Sequence, residues 1–150
     1  MAHGTNLRAA ALRLLGRREH SRSELRRKLS GEDVDPAELE QLLDELEQRG
    51  WLSETRLAEQ MANAARGRYG PRRILERLRA KGVNADAVAP VIGAMKAQEM
   101  EDARAVWAKR FGKHPASLQE RAKQARFLAG RGFSADVIQR LLSGKEPEGN

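Results

Sequence analysis

Apolar residues recur along most of this chain at intervals of three and four, and no stretch alternates apolar with polar residues. This spacing puts the apolar side chains on one face of an α-helix and predicts helices rather than strands. Four leucines between Leu39 and Leu46 form one such face. Asp35-Pro36 before them combines a helix cap with a proline suited to the first helical position, and Gly50 after them is a typical helix end. The pattern predicts an all-α protein.

The apolar pattern repeats along the chain, which indicates tandem copies of one helical unit. Ile74 stands 49 residues after Leu25, and the apolar positions that follow keep this offset. Leu128 stands 50 residues after Leu78. We predict three tandem three-helix repeats followed by a disordered tail, over residues 1–50, 51–97, 98–143 and 144–150. Because one such repeat has little core of its own, stacked repeats should form an elongated curved array; a single compact helical bundle is the alternative.

Two sets of residues are expected to face the core. In the helix predicted over residues 117–131, the inward positions are Leu118, Ala122, Ala125 and Leu128. The large aromatic residues at core spacing are Trp51, Trp107 and Phe111. We expect Tyr69 to pack at a helix junction, with stacking on a nucleobase as the alternative. Phe127 is expected to be partly exposed, as at a protein contact.

Basic residues are concentrated around the helix predicted over Pro71–Lys81. Between Ala65 and Val83 there are seven basic residues, and Glu76 is the only acid. Exposed helix faces usually interleave acids with bases four residues apart. This imbalance therefore indicates a surface for a polyanion or for an acidic groove, and the alternative is an ordinary solvated face.

Charge and composition narrow the function classes. The net charge of +7 comes from the later part of the chain, because residues 1–50 sum to −1 while residues 51–99 and 100–150 each sum to +4. This favours a polyanionic partner, although charge also serves solubility. The absence of cysteine excludes thiolate chemistry and fits a reducing compartment. No apolar run approaches the roughly 20 residues of a membrane span, and no export signal is recognisable, so we expect a cytoplasmic protein without a membrane partner.

Three segments, taken in order, resemble the RecX family. The central segment is Arg56-Leu57-Ala58, Tyr69-Gly70 and the run from Ile74 to Val83. The C-terminal segment is Arg126-Phe127-Leu128, the run from Arg131 to Ser134, and Ile138. The N-terminal segment is Ala11-Leu12, Leu15, Ser23-Glu24-Leu25-Arg26 and Lys28-Leu29. The chain departs from the family's usual aspartate-rich turn and phenylalanine, with Ser53-Glu54-Thr55 and Leu57 in their places.

The resemblance implies a bacterial regulator of the RecA recombinase, built from three tandem three-helix repeats. Such a protein lies in the helical groove of the RecA–single-stranded DNA filament and inhibits ATP hydrolysis, filament growth and strand exchange without chemistry of its own. We therefore expect the RecA nucleoprotein filament as partner, weak and salt-dependent binding to single-stranded DNA, and a monomer. The alternative is a helix-turn-helix-like DNA-binding protein, since residues 50–82 contain helix pairs joined by short turns. A scaffold without nucleic acid is a more remote option.

The candidate contact residues are basic side chains of the second and third repeats. In the second repeat they are Arg66, Arg68, Arg72, Arg73, Arg77 and Lys81. In the third repeat they are Lys109, Arg110, Lys113, Arg121, Lys123, Arg126 and Arg131. A weaker set, close in sequence to an acidic helix, is Arg26, Arg27 and Lys28. Arginine suits phosphate and carboxylate equally, so residue type does not separate DNA from a protein partner. No catalytic residue, cofactor or metal site is expected, because the histidines share no ligand spacing and the acids mark a solvated helix face.

Overall fold

The computed structural model describes residues 4–144, which contain nine α-helices and no strand. The helices are α1 Gly4–Arg17, α2 Arg22–Leu29, α3 Pro36–Gln48, α4 Glu54–Ala65, α5 Pro71–Ala80, α6 Ala85–Ala97, α7 Glu99–Arg110, α8 Leu118–Gly130 and α9 Ala135–Leu142. The predicted all-α class is confirmed. The tail predicted from residue 144 lies, from residue 145 onward, outside the described residues.

Several helices begin and end where local sequence signals predict, whereas α7 begins at Glu99 without a side-chain cap. Before α2, the Ser21 hydroxyl accepts from the backbone N–H of Glu24 at 3.0 Å, and the Glu24 carboxylate accepts from the backbone N–H of Ser21 at 2.9 Å. This reciprocal pair is a capping box and satisfies two helix donors that otherwise lack partners. After α3, α5 and α8 the chain reverses at Gly50, Gly82 and Gly132, with φ values of +75°, +72° and +98°. Glycine enters this left-handed region without the clash that a Cβ brings.

The chain folds as two compact units, and each has its own core. Unit 1 comprises Met1–Gln60 with Leu78–Val88, and unit 2 comprises Met61–Arg77 with Ala89–Asn150. In unit 1, helices α1, α2 and α3 bury Leu7, Ala11, Leu25, Leu29, Leu39, Leu42, Leu43 and Leu46, joined by Leu52. In unit 2, helices α7, α8 and α9 bury Ala103, Val106, Trp107, Leu128, Val137, Ile138, Leu141 and Leu142, joined by Phe133. Each core is thus a cluster of three helices. The repeat boundaries and the curved shape stay predictions.

Three residues predicted to face the core are exposed: Leu118, Ala122 and Trp51. Leu118 is 85% exposed and Ala122 is also exposed, while Gln124 is buried with Leu128. At about 100° per residue, Gln124 and Leu128 share a face that is turned away from Leu118. Gln124 faces the interior because its amide makes two hydrogen bonds there. It accepts from Nε1 of Trp107 at 2.9 Å and donates to the carbonyl oxygen of Lys113 at 3.1 Å.

The other wrong core prediction is Trp51, which is 42% exposed and lies under the guanidinium of Arg49, with Cζ 5.1 Å from the ring centroid. In the part of the chain that the structure describes, no helix combines the length and apolar content needed to cross a membrane.

Candidate polyanion-binding site

The turn before α5 and the turn after α8, both in unit 2, contact each other at glycines, and these contacts fix the start of α5. The backbone N–H of Gly70 donates to the carbonyl of Arg131 at 2.7 Å, and that of Arg72 donates to the carbonyl of Gly132 at 3.1 Å. A Cβ on Gly70 would lie 2.5 Å from the carbonyl oxygen of Gly132, so the two backbones approach each other closely only because Gly70 has no side chain. The turn after α8 therefore accepts hydrogen bonds from the start of α5 and brings Arg131 beside Tyr69.

Three guanidinium groups surround the ring of Tyr69. The Cζ atoms of Arg73, Arg77 and Arg131 lie 4.1, 4.9 and 5.3 Å from the ring centroid. Tyr69 itself is half-buried, and its backbone N–H donates to the carbonyl of Ala65 at 2.9 Å. The predicted position at a helix junction is therefore confirmed. Tyr69 organises arginine side chains through cation–π contacts.

The same arrangement continues at Phe127. Arg131 and Arg110 place their Cζ atoms 5.0 and 5.1 Å from the Phe127 centroid. Phe127 is half-buried, as predicted, and packs edge-on against Phe111 with 5.4 Å between ring centroids. We call this set the arginine–aromatic row: Arg77, Arg73, Arg131 and Arg110, with Tyr69, Phe127 and Phe111.

The row carries positive charge that no acidic side chain of residues 4–144 compensates. Among the described residues, no carboxylate lies within ion-pairing distance of its four arginines, although Arg73 donates to the carbonyl of Gly130 at 3.3 Å and Arg131 to that of Arg68 at 3.4 Å. A ring holds a guanidinium in place without neutralising it, a contact worth about 0.5–1 kcal/mol at exposed sites. Binding an anion then costs less side-chain entropy, and the planar fork still matches phosphate or carboxylate.

Several predicted contact residues have partners inside their own unit. In unit 2, Arg66 pairs with Asp102 at 3.0 Å and donates to the Gln98 amide oxygen at 2.7 Å. In unit 1, Lys81 pairs with the buried carboxylate of Glu24 at 3.4 Å. The charges of Arg66 and Lys81 are thus partly compensated, and both stay predictions as contact residues.

Two residues of the weaker set in unit 1, Arg26 and Lys28, also have side-chain partners. The guanidinium of Arg26 pairs with Glu40 at 2.8 Å, and hydrogen bonds from Arg26 and Arg22 together lower the pKa of Glu40 to about 2. The Lys28 ammonium donates to Nε2 of buried His20 at 3.0 Å. Arg27 is exposed and has no acidic partner among the described residues. Within this set, Arg26 is therefore the one residue whose charge is paired with an acid of the described residues.

The remaining predicted residues of unit 2 are exposed or half-buried, and no described acid pairs with them: Arg68, Arg72, Lys109, Lys113, Arg121, Lys123 and Arg126. Sequence analysis did not identify Phe127 and Phe111 as partners of arginines. A signal was present, because Tyr69 and Arg73, like Phe127 and Arg131, are four residues apart. Within the described residues, no group of three or more histidine, aspartate and glutamate side chains is placed to hold a metal ion.

Comparisons with known proteins agree with this fold. Two family models match the chain: the first three-helix domain of RecX over residues 8–46 and the third over residues 97–142. Regulatory protein RecX of Ralstonia nicotianae is 46% identical over 141 residues, covering 94% of this chain and 89% of that protein. Its counterpart in Leptothrix cholodnii is 44% identical over 137 residues, covering 91% and 87%.

A solved structure shares the architecture. The crystal structure of RecX from Lactobacillus salivarius superposes with a TM-score of 0.80 at 20% identity, covering 93% of this chain and 94% of that chain. The predicted fold of tandem three-helix repeats is thereby confirmed. Together with identities above 40% over nearly the whole length, this establishes that the chain belongs to the RecX family of regulatory proteins.

Proposed function

We propose that this chain is a non-catalytic regulator of RecA that binds in the groove of the RecA–single-stranded DNA filament. It inhibits ATP hydrolysis, filament extension and strand exchange. The observation that carries the proposal is the arginine–aromatic row, in which four guanidinium groups of unit 2 are held by aromatic rings and have no acidic partner among the described residues. A filament of DNA and protein offers phosphates and carboxylates to such a surface.

Inhibition of this kind follows from occupancy. A protein that fills the path of the second DNA strand and touches neighbouring protomers blocks strand exchange and filament growth without a reaction of its own. Naked single-stranded DNA offers only the phosphate part of this surface. Its binding should therefore be weak and should fall with salt, with a log–log slope of about −0.7 per phosphate contact. We propose that the chain acts as a monomer in the cytoplasm.

The alternative, a helix-turn-helix-like DNA binder, receives less support. Four residues separate α5 from α6 and α8 from α9, a spacing typical of that motif. The second helix of such a pair reads bases with the side chains near its N-terminus. The exposed positions of α6 up to residue 94 are Ala85, Asp86, Ala89, Pro90, Gly93 and Ala94. On α9, Asp136 occupies the first turn and pairs with Arg140 at 3.2 Å. In the first turn of each helix the only polar side chain is an aspartate, Asp86 in α6 and Asp136 in α9.

The test measures DNA-dependent ATP hydrolysis by the host RecA at increasing concentrations of this protein. We expect the rate to fall to a plateau, and an unchanged rate at saturation contradicts the proposal. Reversing Arg73, Arg77 and Arg110 to glutamate should raise the concentration for half-inhibition at least about tenfold, because three charge-assisted contacts are lost.

The matched control reverses three exposed arginines outside the row, Arg13, Arg17 and Arg79, and so changes the net charge by the same amount. We expect inhibition by this control to change by less than about threefold, since surface charge without a specific contact acts weakly. Equal loss in both variants would mean that net charge alone governs inhibition. Helical content and melting temperature of both variants should match those of the parent protein.

A further inference from the structure

A groove of about 430 Å³ lies between α8 and α9 in unit 2, and no residue of the arginine–aromatic row lines it. Its base is apolar: Phe133 is fully buried, and Ile138 and Leu142 contribute the α9 side. Ala125 and Ala129 form the α8 side, and their short side chains leave the groove open. The wall that α8 forms between Arg121 and Ala129 is about 12 Å long, which accommodates two turns of a helix or about three extended residues.

The apolar surface extends beyond the groove along α8. Ala125 and Ala129 share a helix face with Ala122 and Leu118, since residues three and four apart are neighbours on a helix. Leu118 is 85% exposed, the highest exposure among the large apolar residues that are exposed. A contiguous apolar strip next to a concave apolar pocket is the usual form of a site that receives apolar side chains.

Three arginines stand at the rim of this apolar base. Arg72 comes from α5, and Arg121 and Arg126 come from α8. No carboxylate of the described residues pairs with any of the three. The side chain of Gln139 adds an amide at the α9 edge, where it is exposed. The groove therefore combines an apolar base with uncompensated positive charge.

We propose that this groove is a docking site for an acidic peptide segment of a partner protein, with two or three apolar side chains in the groove and carboxylates on the rim arginines. The charge complementarity decides between occupants. Nucleic acid satisfies the rim but leaves the apolar base uncovered, whereas a neutral amphipathic helix covers the base but leaves three guanidinium groups without anions. Recognition of acidic motifs by arginines beside an apolar groove follows established modes of peptide binding. The inference does not depend on RecA.

The experiment uses the full chain and a set of fluorescein-labelled octapeptides in which leucine and phenylalanine move through a frame of aspartate and glutamate. Fluorescence anisotropy measures binding at low and moderate salt. We expect saturable binding for at least one arrangement of the apolar residues. Two control peptides keep the residue order of a peptide that binds. One has asparagine and glutamine in place of the acids, and the other has serine in place of the apolar residues. Each control should bind at least about tenfold more weakly, because each removes one half of the complementarity.

Variants locate the site. Replacing Ala129 with glutamine fills the groove at an exposed position, and replacing Arg126 with glutamate reverses one rim charge. Each should weaken binding at least about fivefold. The matched control, Lys96→Glu in unit 2, reverses one exposed charge outside the groove and should alter binding by less than about twofold. Circular dichroism checks that all three variants keep the parent helical content.

Other outcomes overturn the proposal. Absence of binding for the whole peptide set rejects an acidic peptide as the occupant. Binding that Lys96→Glu weakens as much as Arg126→Glu does indicates nonspecific charge attraction. If Ala129→Gln weakens binding of an oligothymidine or of phosphatidylglycerol vesicles but leaves the peptides unaffected, the groove serves nucleic acid or lipid. Because the assay contains no RecA, its result and that of the ATPase assay are independent.

Discussion

The guanidinium of Arg73 lies over the ring of Tyr69, with Cζ 4.1 Å from the ring centroid. The same guanidinium donates to the carbonyl of Gly130 at 3.3 Å. Arg73 is therefore held by two groups that carry no negative charge, a ring face and a carbonyl oxygen, and its own charge remains available. This distinguishes it from Arg66, whose charge is directed at Asp102. This difference bears on function, because an arginine that is held in place but not paired with an acid is preorganised to bind an anion.

Replacing Tyr69 with leucine should weaken inhibition of RecA ATP hydrolysis while changing the fold little. Leucine keeps the apolar contact but removes the ring under Arg73, Arg77 and Arg131, so each loses about 0.5–1 kcal/mol of cation–π attraction. Phenylalanine is the matched control, because it keeps the ring and lacks only the hydroxyl. We expect the leucine variant to require a several-fold higher concentration for half-inhibition and the phenylalanine variant to equal the parent. Equal inhibition by all three proteins would mean that the ring does not organise the arginines.

Replacing Gly132 with alanine should destabilise the protein by about 2–4 kcal/mol. The residue has φ +98°, and a Cβ there would lie 2.6 Å from the Cβ of Arg73 and 2.7 Å from its backbone nitrogen. Gly130 is the matched control, since a Cβ added to it meets nothing within 4 Å. Gly130→Ala should leave stability unchanged or raise it slightly, because alanine loses less entropy in a helix. Urea denaturation measures both, and a stable Gly132→Ala variant would contradict the close approach of the two turns.

Local sequence signals predicted helix boundaries because the causes are local. The capping box of Ser21 and Glu24, the proline at position 71 and the glycine after α5 each act within one helical turn. The core of unit 1 was equally accessible, since its leucines follow the helical period without interruption. Tandem similarity of the apolar pattern then led to the fold of three-helix repeats.

Sequence analysis could not predict which individual basic residues are paired with acids. Asp102 is 36 residues from Arg66 in sequence, and Glu24 is 57 residues from Lys81, so only the fold brings these charges together. The same holds for Arg131 and Tyr69, which come together because the turn after α8 bonds to the start of α5. Sequence identifies which residues are basic, and tertiary structure decides which of them are compensated.

Low pH should lower the free energy of unfolding, and the pH range of this loss is set partly by Glu24. Burial alone would raise the pKa of Glu24, but hydrogen bonds from Arg18 and the Ser21 backbone, with the charge of Lys81, lower it to about 2. The ionised carboxylate therefore stabilises the fold above the ordinary pKa of about 4.5, and this contribution is lost as pH falls from there through about 2.

Glu24→Gln should lower the free energy of unfolding at neutral pH by roughly 1–3 kcal/mol. Its difference from the parent should shrink as pH falls below the ordinary pKa of glutamate. Glu76→Gln is the control, since Glu76 is exposed and has no ion-pair partner among the described residues, and its curve should run parallel to that of the parent. Urea midpoints measured between neutral and acidic pH test this. A Glu24→Gln curve that also runs parallel to the parent would remove Glu24 from the account of acid sensitivity.

Replacing Gln124 with leucine should destabilise the protein, whereas replacing Leu118 with glutamine should not. Hydrophobicity alone predicts the reverse. Gln124 is 7% exposed, and its amide accepts from Trp107 at 2.9 Å and donates to the Lys113 carbonyl at 3.1 Å. Gln124→Leu leaves the buried indole N–H of Trp107 without its partner and also removes the hydrogen bond to the Lys113 carbonyl, which should cost about 1–3 kcal/mol. Leu118→Gln changes a residue that is 85% exposed and should alter stability by less than about 0.5 kcal/mol. Urea denaturation followed by tryptophan fluorescence measures both variants. A neutral Gln124→Leu would mean that water or a repacked side chain satisfies the indole N–H, and a costly Leu118→Gln would mean that the first turn of α8 is covered in solution.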